Sequence, residues 1–471
     1  MKIKHKSVEI PTDGTDAFVN CKLDRRKYAE VLTSIVSTYS NGFVLAINNK
    51  WGTGKTTFVK MWQQHLINQG FQTLYFNAWE NDFQPEVMVA LLSELSELRN
   101  KSENTFQNVL EKASKFLTKA TPALTKGVAS KFVGEEAVSD VIAAAAEFTT
   151  EELDKKIKSF NEAQKGIIDF RDSLRKFVAR VDNDKPIIFI IDELDRCRPN
   201  YAVSVLEEVK HLFSVSGIVF VISIDKKQLG HAVRGVYGSD LIDADEYLKR
   251  FIDLEYKIPK ANKQDFIEYL LQYFDYNKFL LSPERKDTIA FKYDLNNFKT
   301  ISFVLFESDN FSLRSLERIL GRIRLTINSF TNQQFVFPEI ILLLAYLYEK
   351  HPKVYVKIEN SEYGVQEVVN VMDDILFPFQ ENDYQVSITY LYASFLWRYN
   401  NQYMNLNYRD ATQIIKSDDA GNFKLVFDSK LEDRNNNLLK SILKCENKFE
   451  TSDIELSHIQ KKYSLMESVR I

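Results

Sequence analysis

Residues 43–62 read FVLAINNKWGTGKTTFVKMW, and the change of character halfway along this stretch decides the fold. FVLAIN is short, β-rich and apolar nearly throughout, which predicts a strand covered on both faces. A glycine-bearing loop follows, Trp51, Gly52, Thr53 and Gly54, and from Lys55 onward the pattern turns helical. Strand, loop and helix in that order are the setting a phosphate-binding loop requires. Gly52 and Gly54 let backbone amides approach phosphate oxygens without a Cβ in the way. The helix N-terminus offers unpaired N–H groups and a partial positive charge to the same anion. Lys55 is expected to reach the β- and γ-phosphates and the Thr56 hydroxyl to ligate Mg²⁺, with Trp51, Thr53 and Thr57 completing the cradle. The usual pattern has glycine where this chain has Asn49. Asparagine tolerates left-handed backbone better than most residues, so the loop is still expected to form.

Outward from this stretch, further strands are predicted at 71–78, 186–192, 217–224 and 253–258, the last alternating in polarity and expected at an edge. Helical patterns lie between them, at 56–69, 85–98 and 201–213. Such alternation implies a parallel sheet with right-handed crossovers, flanked by helices. The connection at 100–184 is too long for a simple crossover, and charges interrupt every apolar stretch in its centre, 121–148, including the alanine run 143–146. It reads as a helical insert at about 101–165, with an amphipathic membrane-surface helix as the alternative. Helices are expected again at 263–279, 312–330 and 338–350. The division is therefore a core at 1–262, a helical lid at 263–352 and a C-terminal region at 353–471 without an assigned role. In that last region TYLYASFLWRY and FKLVFD are short structured segments and 435–437 a loop.

Composition narrows the class. Hydrophobic residues at 45% and charged residues at 27% are ordinary for a soluble globular chain. A formal charge of −4 gives no global pull toward nucleic acid, although a local basic groove is compatible with it. The three cysteines are far apart and lack metal spacing, so they read as free thiols of a reducing compartment. With no apolar leader and no run long enough to span a bilayer, a cytoplasmic location is expected. Scarce histidine leaves no zinc pattern, and no G-x-S-x-G elbow occurs.

A second motif joins the first. PIIFIIDE, 186–193, is an apolar strand delivering two acids at its C-terminal end, where ligands bind in open α/β sheets. Asp192 is expected to hold Mg²⁺ and Glu193 to polarise the attacking water. The alternative is that these acids only end a strand and pair with Arg196 or Arg198. The strand 217–224 ends at Ser223 and Asp225, which are placed to sense a γ-phosphate or position water. Arg250 precedes the last strand and is a candidate phosphate-contacting cation for its own or a neighbour's site. Arg314 opens a helix of the lid and is a candidate nucleotide contact. Asn262, Lys263, Gln264 and Asp265 match a guanine-reading pattern, but Asn262 reads better as a helix N-cap, which leaves ATP ahead of GTP.

Together these motifs resemble the KAP family of P-loop NTPases. Its loop carries a tryptophan before the glycines, as in Lys50, Trp51, Gly52, Thr53, Gly54, Lys55 and Thr56 here. Phe76, Asn77, Ala78 and Trp79 match its second-strand signature, and Asp192, Glu193, Leu194, Asp195, Arg196, Cys197 and Pro199 its acidic strand end. The segment Glu246 to Phe251, followed by Lys257, Ile258 and Pro259, is similar to its tail, and Asp24, Arg25, Arg26, Lys27, Tyr28 and Ala29 to its entry helix. The resemblance covers about residues 20–330 and nothing beyond about 335. It implies a Mg²⁺-dependent ATPase acting as a switch, with a homo-oligomer or a protein partner. The insert lies where family members often carry membrane helices, here without their spanning character. The bacterial branch implies a role in defence against bacteriophage. The competing class is a nucleotide-gated scaffold with little hydrolysis, and a phosphotransferase fits less well because an Asp-Glu pair suits water as acceptor.

Overall fold

The computed structural model describes residues 8–39, 42–130, 150–181, 184–288, 291–307, 311–379, 384–406, 413–419, 421–432, 435–447 and 451–467. The chain divides into two compact units, His5–Lys260 and Ala261–Ile471.

In the first unit five strands form one sheet: β1 (Phe43–Asn48), β2 (Thr73–Asn77), β3 (Ile187–Asp192), β4 (Ile218–Ile224) and β5 (Leu254–Tyr256). Their spatial order is β2-β3-β4-β1-β5, and every pairing is parallel. All six residues of β3 and all seven of β4 are buried. Alternate side chains explain why: Leu45, Ile47, Ile188, Ile190, Val219 and Val221 enter one core, while Ala46, Phe76, Phe189, Ile191, Phe220 and Ile222 enter another. Helices α1 (Arg26–Thr38) and α2 (Lys55–Asn68) cover the first face, and α3 (Val87–Leu95), with Tyr201, Val205 and Leu229, covers the second. Burial of both faces is what a near-continuous apolar run encodes. The last strand is at an edge, as its alternation implied.

The long connection holds two helices, α4 (Glu103–Ser130) and α5 (Thr150–Val181). Phe106 meets Phe177 and Phe116 meets Gly166, so the pair runs antiparallel and roots in the second core. The stretch 131–149, with the alanine run, lies outside the described residues. Among the described residues no helix is long and apolar enough to cross a membrane.

Several helices end earlier than their patterns suggested. The one expected at 201–213 is α6 (Pro199–Glu208), continued by a π-helical turn Val209–Phe213. The one at 85–98 shortens to α3 and a 3₁₀ segment Ser96–Lys101. Two further short helices, α7 (Lys226–Tyr237) and α8 (Ala244–Leu248), connect β4 to β5.

In the second unit the pattern at 263–279 splits into α9 (Lys263–Tyr273) and Tyr276–Leu280, because Asp275 turns into left-handed backbone at φ 52°. Pro338–Lys350 is the axis of this unit: every residue from Pro338 to Leu347 is buried. Asp294–Glu307, Leu313–Asn328, Gln385–Leu406 and Leu456–Glu467 pack around it. TYLYASFLWRY lies within the Gln385–Leu406 helix, and FKLVFD supplies one strand of a small antiparallel pair, Ile415–Ser417 with Phe423–Leu425. Of the expected loop at 435–437, Asn437 already opens a helix, Asn437–Glu446.

Asn49 corrects the expectation made for it. It is absent from the residues with positive φ, so tolerance of left-handed backbone is not its role. Its side chain instead acts as a strand extension, accepting from the Ile258 N–H at 2.8 Å and donating to the Ile258 carbonyl at 2.9 Å. Edge strand β5 is only three residues long, and this doubled bond continues its pairing into the phosphate loop. Asn49→Gly, which restores the usual glycine, should therefore destabilise the chain by about 1–3 kcal/mol, from two lost hydrogen bonds and a more flexible backbone. A shift of the urea midpoint to lower concentration checks this; a shift upward would show the side-chain bonds to be dispensable.

Candidate nucleotide site

The phosphate loop leaves the C-terminal end of β1 and enters α2 through two glycines in left-handed backbone, Gly52 at φ 75° and Gly54 at φ 79°. At these angles a Cβ is strained. Gly54 is the N-cap of α2, so Lys55, Thr56 and Thr57 form the first helical turn and their N–H groups have no intrahelical acceptor. Lys55 is buried, and its Nζ donates to the Asn49 carbonyl at 2.5 Å. Burial pulls the Lys55 ammonium below its usual range, and the carboxylates of Asp195, Asp225 and Asp192 partly oppose that shift.

Arg25, just before α1, grips the loop from behind. Its two terminal nitrogens donate to the carbonyls of Thr53 at 2.7 Å and Gly54 at 3.1 Å. Only 4% of this residue is exposed, and burial lowers the pKa of its guanidinium. In the sequence it passed as part of an entry helix. Nothing local marks a buried arginine, because the carbonyls it serves lie 28 and 29 residues away.

The acidic strand end comes to the same edge. β4 lies between β1 and β3, with Ser223 opposite Ile47 on one side and Asp192 on the other. Asp192 is 1% exposed and accepts from Tyr75 Oη at 2.9 Å and from the Glu193 N–H at 2.9 Å. Burial, then the neighbouring Asp192, raises the Tyr75 pKa and keeps it a hydrogen-bond donor. The Ser223 hydroxyl is fully buried and has no hydrogen-bond partner among the described residues. An orphaned hydroxyl in a native interior calls for a ligand or a water to satisfy it.

Glu193 sits in left-handed backbone at φ 62°, and its carboxylate pairs with Arg196 at 3.0 Å. The arginine pairing foreseen for this strand end is thus realised, through Arg196. The Arg196 guanidinium lies 6.0 Å from the Trp79 ring centre, and Arg198 is clamped by Asp82 through Nε at 2.9 Å. Trp51 reaches across the edge: its indole N–H donates to Asp195, and its backbone N–H to Asp225 at 3.2 Å. Burial raises the Asp195 carboxyl, with Lys55 and Trp51 acting against the shift. Asp225 also caps α7, so its role here is to join the loop to a helix start.

Two expected residues are not brought to this edge within the unit. The Asp253 N–H bonds the Val44 carbonyl near the beginning of β1, so Arg250, three positions earlier, stands at the opposite edge of the sheet. It is exposed. Arg314 belongs to the second unit, exposed in the first turn of Leu313–Asn328. Asn262 accepts from the Gln264 N–H at 2.9 Å as the N-cap of α9, which is the capping reading rather than the guanine-reading one.

The family comparison covers this site. Residues 25–330 match the model of the KAP family P-loop domain. No curated protein matches the sequence. Among solved structures the chain is similar to the Aeropyrum pernix ORC2 protein in its ADPNP–ADP complexes, at 14% identity and a TM-score of 0.34, covering 89% of this chain and 94% of that one. It is also similar to Drosophila ORC bound to DNA, at 14% identity and a TM-score of 0.36, covering 98% of each chain. Likeness that low says nothing of function, whereas the family match spans most of the chain and every residue of the phosphate edge. This chain belongs to the KAP family of P-loop NTPases.

Proposed function

We propose that this chain is a Mg²⁺-dependent ATPase whose turnover drives a switch between conformations. One observation carries the reading: Lys55, Asp192 and the orphaned Ser223 hydroxyl meet at one sheet edge, beside a left-handed glycine loop. The loop amides and the first turn of α2 bind the phosphates, and Lys55 exchanges the Asn49 carbonyl for phosphate oxygens. Ser223 hydrogen-bonds the terminal phosphate or the water beside it.

The residues present fit Mg²⁺, which prefers hard oxygen ligands and takes few from protein. Thr56 supplies a hydroxyl in the first helical turn. Each oxygen of Asp192 accepts a single hydrogen bond, which leaves lone pairs for the metal or its water shell. When bound, the metal neutralises charge developing on the β- and γ-phosphate oxygens. Glu193 orients the attacking water. The oxygen of that water bonds to the γ-phosphorus while the bond to the β–γ bridging oxygen breaks, and ADP and phosphate leave. Arg250 stands exposed at the far edge and makes no ion pair among the described residues, which supports a role at the site of a neighbouring copy. ATP is favoured over GTP because Asn262 is committed to capping α9. A task in excluding bacteriophage is suggested by bacterial members of the family; plaque counts on cells carrying the chain or its Lys55→Ala form would read it.

The Glu193–Arg196 pair favours a second reading, a nucleotide-gated scaffold with little hydrolysis, because the water-orienting carboxylate is already engaged. Steady phosphate release from the pure protein separates the two.

Lys55→Ala should abolish ATP binding in calorimetry, and retained binding would dismiss the site. Glu193→Gln should keep ATP binding while lowering phosphate release by about 10²-fold or more; undiminished release would remove Glu193 from the water-orienting role.

A further inference from the structure

The second unit contains a cavity of about 1310 Å³, larger than the roughly 300–1,000 Å³ of a typical small-molecule site. Its lining divides into two chemistries. Phe291, Phe335, Phe337, Tyr293 and Tyr390 supply aromatic rings. Asn437, Lys440, Ser441 and Lys444, spaced to share one face of the Asn437–Glu446 helix, supply an amide, a hydroxyl and two ammonium groups.

Electrostatics decides the sign of the ligand. Two acids also line the cavity, Asp294 and Glu339, and each has a buried arginine to answer it. Arg285 is fully buried and bonds Asp294. Arg398 is 3% exposed and feels the charge of Glu339. Lys440 and Lys444 make no ion pair among the described residues, so the lining keeps uncompensated positive charge. The rings are disposed the same way. Arg285 lies 4.0 Å from the Phe291 ring centre and Arg398 3.7 Å from that of Phe337. A ring face that already holds a guanidinium is a poor second host for a cation. Phe291 and Phe337 are therefore poor walls for a cage around a quaternary ammonium. The cavity suits an anion with flat rings.

Phe337 adds a sign of function. It adopts φ 47°, a backbone region costly for an aromatic residue, and such strain persists only where the surroundings over-determine it. The strained turn stacks Phe337 near Phe335, with ring centres 6.0 Å apart and planes at 19°. Tyr293, 60% exposed, and Val386, 82% exposed, leave apolar surface open to solvent among the lining residues.

We propose that this cavity binds a short stretch of single-stranded nucleic acid, its bases stacking on Tyr293, Phe335 and Tyr390 rather than on Phe291 and Phe337, and successive phosphates meeting Lys440 and Lys444. Aromatic platforms beside a positive track are how such strands are held without sequence preference. The chain's overall charge of −4 is no obstacle, because the positive charge is local. This site is independent of the phosphate loop, and its test is run in a Lys55→Ala background so that loop binding cannot report.

Fluorescence anisotropy with labelled oligothymidylate and oligouridylate of about ten nucleotides should show saturable binding. Lys440→Glu with Lys444→Glu should weaken it by about tenfold or more and make the dependence of log Kd on log salt shallower by about 1.4. Both side chains are exposed, and unchanged thermal unfolding would confirm that the variant is folded. Tyr293→Ala, at an equally open position, should cost about fivefold or more through lost stacking. A dinucleotide arm identifies the source: affinity rising with length supports a strand, whereas a dinucleotide binding as tightly as the oligomer overturns it in favour of a free dinucleotide. Absence of binding, or binding indifferent to both variants, overturns the proposal altogether.

Discussion

A buried ammonium group is expensive, and the phosphate edge is arranged around the one that Lys55 carries there. Removing such a charge from water costs several kcal/mol unless oppositely charged or polar groups surround it. Here the Asn49 carbonyl accepts from the ammonium nitrogen directly, and Asp192 and Asp195 at the end of β3 and Asp225 at the end of β4 supply negative potential. Those carboxylates are in turn held by Tyr75, Trp51 and the start of α7. The arrangement holds the lysine on a carbonyl that, in the proposed function, phosphate oxygens replace.

The loop itself is fixed by partners remote in sequence. Arg25 takes the carbonyls of Thr53 and Gly54, and Asn49 joins the loop's beginning to Ile258, two residues past β5. Peptide groups whose carbonyls are occupied are held in orientation, a form of preorganisation for the N–H groups of the loop. The strand order contributes as well. With β4 between β1 and β3, a gap of one strand separates lysine from aspartate, and Ser223 fills it. Its hydroxyl has no partner among the described residues, whereas Glu193 beside it is engaged by Arg196.

The layered core was legible in the apolar runs of β1, β3 and β4, because a strand buried on both faces has no room for alternation. The glycine loop was legible for a similar reason: close approach to an anion and left-handed backbone each demand the missing Cβ. Helix ends were less so. Asp275 breaks the pattern at 263–279, and a π-helical turn takes over at Val209, because packing can override local propensity. Arg25 and Tyr75 looked ordinary, since their importance lies in partners far along the chain. Asn49 looked like a weakened glycine until its side chain was seen paired with Ile258.

By itself the sequence determined the elements and the chemistry available at the phosphate edge, since strand polarity, glycine placement and the Lys-Thr and Asp-Glu pairs are local properties. Only the tertiary structure decided which residues serve one another. It paired Glu193 with Arg196 rather than leaving it to water alone, carried Arg250 to the edge away from its own loop, and gathered rings and lysines from four segments into one cavity. Pairing of that kind depends on strand order and helix packing, which bring distant residues within a few ångströms and leave no mark on either residue's immediate neighbours.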